Sequence, residues 1–161
     1  RAGENAGEPI EELAVARWVE GALDGLPGRE RVRVEVACGE VRIRGPARGL
    51  ERALRVILTN ALQATPAEGG VSLGARCVAR GIEVEVTDGG AGMEAGVLAR
   101  AGEPFFTTKE PGQGTGLGLY IARTLVEQLG GALELASQPG RGTTARITLP
   151  GTQAQREEAR G

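Results

Sequence analysis

The chain has 161 residues and a net charge of −2, with a pI near 5.4, so it carries no basic footprint for nucleic acid or anionic lipid. At 40% hydrophobic and 25% charged residues it suits one globular domain with a real core, and no apolar run approaches the roughly 20 residues that span a membrane. No signal peptide opens the chain, and a first residue of Arg1 instead of Met points to a piece of something longer. Cys38 and Cys77 lack metal-ligand spacing and read as buried reduced thiols.

Residues 1–9 are polar at the outset and expected to fray. Residues 10–23 place Ile10, Leu13, Ala14, Trp18 and Ala22 near helical spacing, and Pro27 with Gly28 ends that predicted helix. Residues 31–37 alternate, with Val32, Val34 and Val36 on one side of a strand whose other face is wet. Residues 41–43 read as a short second strand or hairpin return.

The second predicted helix covers residues 46–65, opened by Pro46 in its first turn and closed before Pro66. Leu50, Ala53, Leu54, Ile57, Leu58, Ala61 and Leu62 follow the i, i+3, i+4, i+7 template. Asn60 falls just beyond that stripe, on a rim shared with Val56. An amide there is either solvated or in touch with both a sheet edge and a ligand, and the helix pattern alone does not choose.

Residues 71–78 and 82–88 read as strands joined by a short turn. The period of two runs through Ile82, Val84 and Val86 to Asp88, which puts a carboxylate on an apolar face. A carboxylate so placed needs hydrogen-bond donors. An Asx-turn onto the Gly89 and Gly90 amides is one solution. A ligand amine at the floor of a pocket is the other, with Gly90 and Gly92 leaving room for a flat ring.

Residues 94–111 lack a strong period and hold Gly96, Gly102, Pro104, Pro111 and both phenylalanines, Phe105 and Phe106. A loop this long in a compact domain is usually functional or disordered, and this one reads as a lid. In GQGTGLGL (residues 112–119), glycines at alternate positions run directly into an amphipathic segment, although glycine is costly within a helix. Unpaired N–H groups at a helix start suit a phosphate chain, so the stretch reads as an anion cradle. Lys109 is near enough to reach a terminal phosphate, unless it serves only solubility. Leu119 and Tyr120 after Gly118 exclude a P-loop, and Leu117 at the sixth place excludes a dinucleotide fingerprint.

In a helix over residues 117–129, Leu117, Ile121, Ala122, Leu125 and Leu129 share one side with Gly118, which marks a close approach to the sheet. Tyr120, Arg123 and Glu127 lie opposite. Residues 132–137 and 143–149 form a closing hairpin, and residues 151–161 a charged tail.

Five motifs stand in order: LTNALQAT at 58–65, DGGAGM at 88–93, EPFFTTK at 103–109, GQGTGLGL at 112–119, and Gly142 with Thr143. Together they resemble the N, G1, F, G2 and last glycine boxes of the catalytic and ATP-binding domain of bacterial sensor histidine kinases. That domain belongs to the GHKL superfamily, with gyrase, Hsp90 and MutL. The resemblance covers nearly all of residues 10–150. It implies an α+β fold, a two-layer α/β sandwich whose mixed, mainly antiparallel sheet of about five strands is covered on one face by three helices, with a mobile ATP lid. Residues 1–9 would then link to a preceding helical hairpin, and residues 151–161 would be a disordered tail.

The same resemblance implies ATP and Mg2+ as cofactors. Asp88 would bond the exocyclic amine of adenine, Thr143 would support that contact through water, and Gly90 and Gly92 would shape the purine wall. Phe105, Thr107 and Thr108 of the lid, and Gly112, Gly114, Thr115, Gly116, Leu117 and Gly118 of the cradle, would also touch the nucleotide. Asn60 would hold magnesium, and Lys109 would stand near the far phosphate. The implied enzyme is a protein histidine kinase, moving the γ-phosphoryl group to a histidine. Since the chain contains no histidine, that acceptor would sit on a separate phosphoacceptor and dimerisation domain of the same parent.

A cognate response regulator is the second implied partner; nucleic acid and direct membrane contact are not implied. The implied location is the cytoplasm, with an inner-membrane anchor on the parent left open. Two positions depart from the family pattern. Val56 stands where the hydrolytic branches carry a glutamate base, which speaks against a gyrase-like or Hsp90-like clamp. Histidine kinases commonly carry Asn or His there, so a non-catalytic nucleotide-binding scaffold is a further alternative. Gly102 stands where many relatives have Phe.

Overall fold

The computed structural model describes residues 7–103 and 117–152. In chain order the first elements are β1 (Ile10–Ala14), α1 (Val15–Leu23), β2 (Val32–Ala37), β3 (Arg42–Pro46) and α2 (Ala47–Ala64). They are followed by β4 (Val71–Val78), β5 (Gly81–Asp88), α3 (Ala95–Arg100), α4 (Gly118–Gln128), β6 (Ala132–Ser137) and β7 (Thr143–Pro150).

Period-two alternation builds a five-stranded sheet in the order β2-β4-β5-β7-β6. Among the described strands of this sheet only β2 and β4 pair in parallel; parallel neighbours need a crossover, and α2 lies within it. Val71, Leu73, Ala75, Ile82, Val84, Val86, Ala145, Ile147 and Leu149 all turn to one buried face. The other face is polar: Arg76 donates to Glu83 at 2.8 Å and Arg146 to Glu85 at 3.0 Å.

Helices α2 and α4 rest on the apolar face, and α1 packs beside α2. Leu50, Leu54 and Leu58 of α2 are fully buried, and the equally buried Trp18 of α1 donates its indole N–H to Leu50 O at 2.7 Å. A buried indole N–H without such an acceptor would be costly. This is the expected two-layer α+β arrangement, with a mainly antiparallel sheet of five strands.

Several local expectations are corrected. Residues 10–23 are not one helix: Ile10–Ala14 is a strand, paired antiparallel with β3 so that Leu13 meets Ile43. Residues 42–46 therefore do not return along β2; they form a separate two-stranded sheet with β1. On β2 only Val32 is buried, while Val34 and Val36 are each 37% exposed, because this edge strand lies outside the helix layer. A short helix, α3, interrupts the span expected to be irregular.

The buried face of α4 is Ala122, Leu125 and Val126, whereas Ile121 is 50% exposed. The helix is rotated relative to the expected wheel, so that Val126 turns inward in place of Ile121. Of the two thiols, Cys38 is buried but Cys77 is exposed.

Pro46 supplies no side-chain cap to α2. The Glu8 carboxylate does so from outside the helix, accepting the Arg48 N–H at 2.6 Å and the Gly49 N–H at 3.1 Å. An anion at this end is also favoured by the helix dipole. Glu8→Ala should therefore lower stability by about 0.5–2 kcal/mol in urea unfolding followed by circular dichroism. An unchanged midpoint would show that water serves those amides equally well.

Candidate functional site

The alternation along β5 ends at Asp88, which is only 7% exposed. Its Oδ1 accepts two backbone N–H groups, from Gly90 at 2.9 Å and from Thr143 at 3.2 Å. The first of these is an Asx-turn. The second ties the end of β5 to the start of β7. Both fall on Oδ1, so Oδ2 has no donor among the described residues.

Gly142 makes the second bond sterically feasible. Its φ is +76°, a region that disfavours side chains, and a Cβ added there would collide with the Asp88 carbonyl oxygen and lie 3.2 Å from Oδ1. Gly92, at φ +74°, is equally confined, because an added Cβ would run into Gln138 O. Ser137 fastens the two turns together. Its hydroxyl donates to Gly142 O at 2.8 Å, accepts the Met93 N–H at 2.8 Å, and stands 2.9 Å from the Thr143 hydroxyl. With one proton available, Ser137 must accept from Thr143.

The rim of α2 connects this turn to α4. A Cβ on Gly90 would collide with Ala64 O, and one on Gly118 would lie 3.0 and 3.4 Å from the two Val56 methyls. Val56, Asn60 and Ala64 are spaced by four and form one row along the helix. The half-buried Asn60 thus lies midway between the Asp88 turn and the first residue of α4. Gly118 was expected to approach the sheet; its close neighbour is α2 instead. Leu117, half-buried, is the N-cap of α4 and caps nothing with its side chain, so this helix start presents backbone N–H groups.

The structure therefore gathers Asp88, Gly90, Gly92 and Thr143 at one end of the α2 rim, Asn60 at its middle, and Leu117 and Gly118 at the other. Phe105, Thr107, Thr108, Lys109, Gly112, Gly114, Thr115 and Gly116 lie outside the described residues. Sequence reasoning missed Ser137, whose only signal was its place as the last strand residue before the Pro139 turn. It also missed Arg123. That guanidinium covers the buried Gly102, at φ +93°, and donates to Ala101 O at 3.3 Å. A separate cleft of about 330 Å³, walled by Arg17, Glu20, Asp24, Arg29 and Glu51, contains none of the predicted residues.

The chain is similar to known proteins in both sequence and fold. The profile of the Histidine kinase-, DNA gyrase B-, and HSP90-like ATPase family matches residues 45–153. The sensor histidine kinase ZraS of Escherichia coli K12 is 41% identical over 101 residues, covering 63% of this chain and 21% of ZraS. The two-component sensor PprA of Pseudomonas aeruginosa is 38% identical over 143 residues, covering 81% of this chain and 15% of PprA. The chain thus spans about a fifth or less of these two relatives.

Among solved structures, the mycobacterial sensor histidine kinase MprB superposes with a TM-score of 0.71 at 30% identity, covering 89% of this chain and 98% of the MprB chain. The catalytic domain of histidine kinase ThkA shares the fold with a TM-score of 0.75 at 22% identity, over 88% of this chain and 95% of its own. With its motif order, sheet topology and matched profile in accord, the chain belongs to the histidine kinase-, DNA gyrase B- and HSP90-like ATPase family.

Proposed function

We propose that this chain binds Mg-ATP and, as the catalytic domain of a two-component sensor histidine kinase, hands the γ-phosphoryl group to a histidine on a separate domain of its parent. The observation that carries this reading is the Asp88 carboxylate, which is held by two backbone donors through one oxygen while the other has no protein donor among the described residues. Such an oxygen, at the buried end of a glycine-lined turn, suits the exocyclic amine of adenine. Gly90, Gly92 and Gly142 let the turns close around that carboxylate, since a Cβ on any of them would collide with Ala64 O, Gln138 O or Asp88 O. Thr143 supports the carboxylate through its backbone N–H, while its hydroxyl is engaged with Ser137. From there the α2 rim leads past Asn60 to the amides at the start of α4, which suit the phosphates. Phe105, Thr107, Thr108, Lys109, Gly112, Gly114, Thr115 and Gly116 complete the proposed site.

Magnesium, when bound, neutralises charge on the phosphates. Asn60 offers a hard side-chain oxygen at the middle of the rim. Among the described residues no group of three or more His, Cys, Asp or Glu could hold a metal; magnesium beside a nucleotide asks for only one or two protein oxygens, with phosphate and water completing its shell. Val56, one turn before Asn60, cannot accept a proton. Hydrolysis by a base at that place is therefore excluded, whereas an imidazole acceptor brings its own nucleophile and needs no such base.

The chain contains no histidine, so the acceptor belongs to the phosphoacceptor and dimerisation domain of the parent, and a response regulator takes the group onward. We place the domain in the cytoplasm, where ATP is available. Among the described residues no helix is long and apolar enough to cross a membrane. The test is to join the chain to its parent acceptor domain and follow label from γ-labelled ATP. Label on histidine is expected; none, with nucleotide binding intact, would leave the scaffold reading in its place.

Three substitutions probe the pocket by calorimetric titration with adenine nucleotide. Asp88→Asn should weaken binding by about 1–3 kcal/mol, the range for a mispaired buried partner, and an unchanged affinity would remove Asp88 from the floor. Asn60→Ala should weaken binding in magnesium but not in EDTA; an equal loss in both would assign Asn60 to the nucleotide itself. Gly140 shares the φ of +76° found at Gly142 but has open space around it. Both Gly→Ala changes should therefore cost about 1 kcal/mol or more of stability, but only Gly142→Ala should also reduce nucleotide affinity. Equal affinities would show that the Asp88 cradle tolerates displacement.

A further inference from the structure

Two thiols remote from the proposed nucleotide site are brought together by the register of the sheet. Strands β2 and β4 run in parallel as far as Ala37 opposite Arg76, so the next residue on each, Cys38 and Cys77, fall side by side. The Cys77 thiol donates to the Cys38 carbonyl at 3.1 Å across 39 residues of sequence, and the two thiols also lie within each other's electrostatic reach. Paired strands stand about 4.8 Å apart, which falls inside the roughly 4.4–6.8 Å range of Cα separations seen in disulfides. The pair is asymmetric, with Cys77 exposed and Cys38 buried. Burial, with Cys77 beside it, pushes the Cys38 thiol up to about 11. At neutral pH Cys38 is therefore protonated, and the exposed partner meets a reagent first.

We propose that Cys38 and Cys77 form a redox-active pair that a hydroperoxide closes to an intramolecular disulfide. The Cys77 sulfur, as thiolate, attacks a peroxide oxygen: an S–O bond forms, the O–O bond breaks, and the departing oxygen leaves as water or alcohol after taking up a proton. The Cys38 sulfur then releases its proton and attacks the sulfenic sulfur, forming the S–S bond and breaking the S–O bond, with the hydroxyl leaving as water. Two thiols lose two electrons in all, and one peroxide bond takes them up.

The bridge would close a loop over residues 38–77, which contains all of α2 and hence Asn60. It would not enter the nucleotide pocket: Asp88 pairs with Val71 at the start of β4, while Cys77 pairs with Ile82 at the far end, about 20 Å away at the usual strand rise.

The reduced chain is treated with hydrogen peroxide, alkylated under denaturing conditions, and mapped by non-reducing mass spectrometry. Wild type is expected to lose both free thiols together without forming cross-linked dimers, and to yield one linked peptide pair containing Cys38 and Cys77. Its thermal midpoint should rise by about 5–15 °C, reversibly with dithiothreitol. Cys77→Ser, at an exposed position, should fold normally and keep Cys38 alkylatable after peroxide. Two results would overturn the proposal: Cys77 oxidised to sulfinic acid or linked between molecules while Cys38 stays free, or Cys38 lost equally in Cys77→Ser.

Discussion

A carboxylate turned onto the apolar face of a sheet must find donors, and much of the site geometry follows from how Asp88 finds them. Its Oδ1 draws in the N–H groups of Gly90 and Thr143, which belong to turns far apart in sequence. To bring the second donor close, Gly142 must pass against the Asp88 backbone at a positive φ, where a side chain would collide. Ser137 then holds that turn to the one beyond Asp88 through Gly142 O and Met93 N–H. The outcome is a rigid floor in which one carboxylate oxygen is committed to the protein. The other has no donor among the described residues, and a ligand amine would supply one.

Helix α2 serves the fold and the proposed site at once. Its leucines fill the core, and Trp18 of α1 is anchored on its backbone at Leu50. Its rim, from Val56 through Asn60 to Ala64, touches Gly118 at one end and Gly90 at the other. A glycine at each contact lets backbone approach helix, so that whatever occupies the floor and whatever occupies the start of α4 are bridged by one row of side chains. Val56 belongs to this packing: its methyls stand against Gly118. An apolar side chain in that seat packs against α4 and performs no proton chemistry, which accords with the proposed transfer to an acceptor that supplies its own nucleophile.

At the opposite end of the same sheet, β2 is an edge strand with little helix cover, tied laterally, among the described residues, only to β4. The juxtaposed thiols lie where that edge ends. The sheet thus carries two kinds of chemistry at its two ends: an acid fixed by amides near the start of β4, and a soft, oxidisable pair beyond its last parallel bond.

Sequence alone determined whatever rests on local periodicity. The apolar stripe of α2, the alternation that turns Asp88 toward the core, and the hairpin of β6 and β7 were all legible, because each depends on residues within a few positions of one another. The spacing of Ile10, Leu13 and Ala14 satisfied a helical template equally well, and only the antiparallel partner at β3 decided for a strand. Other features depend on partners tens of residues away: the Glu8 cap on α2, the Thr143 amide on Asp88, the Ser137 fastening, the rotation of α4 that exposes Ile121, and the meeting of Cys38 with Cys77. These were decided by tertiary structure, since strand register and helix packing set which distant residues meet, and neither leaves a short-range pattern in the chain.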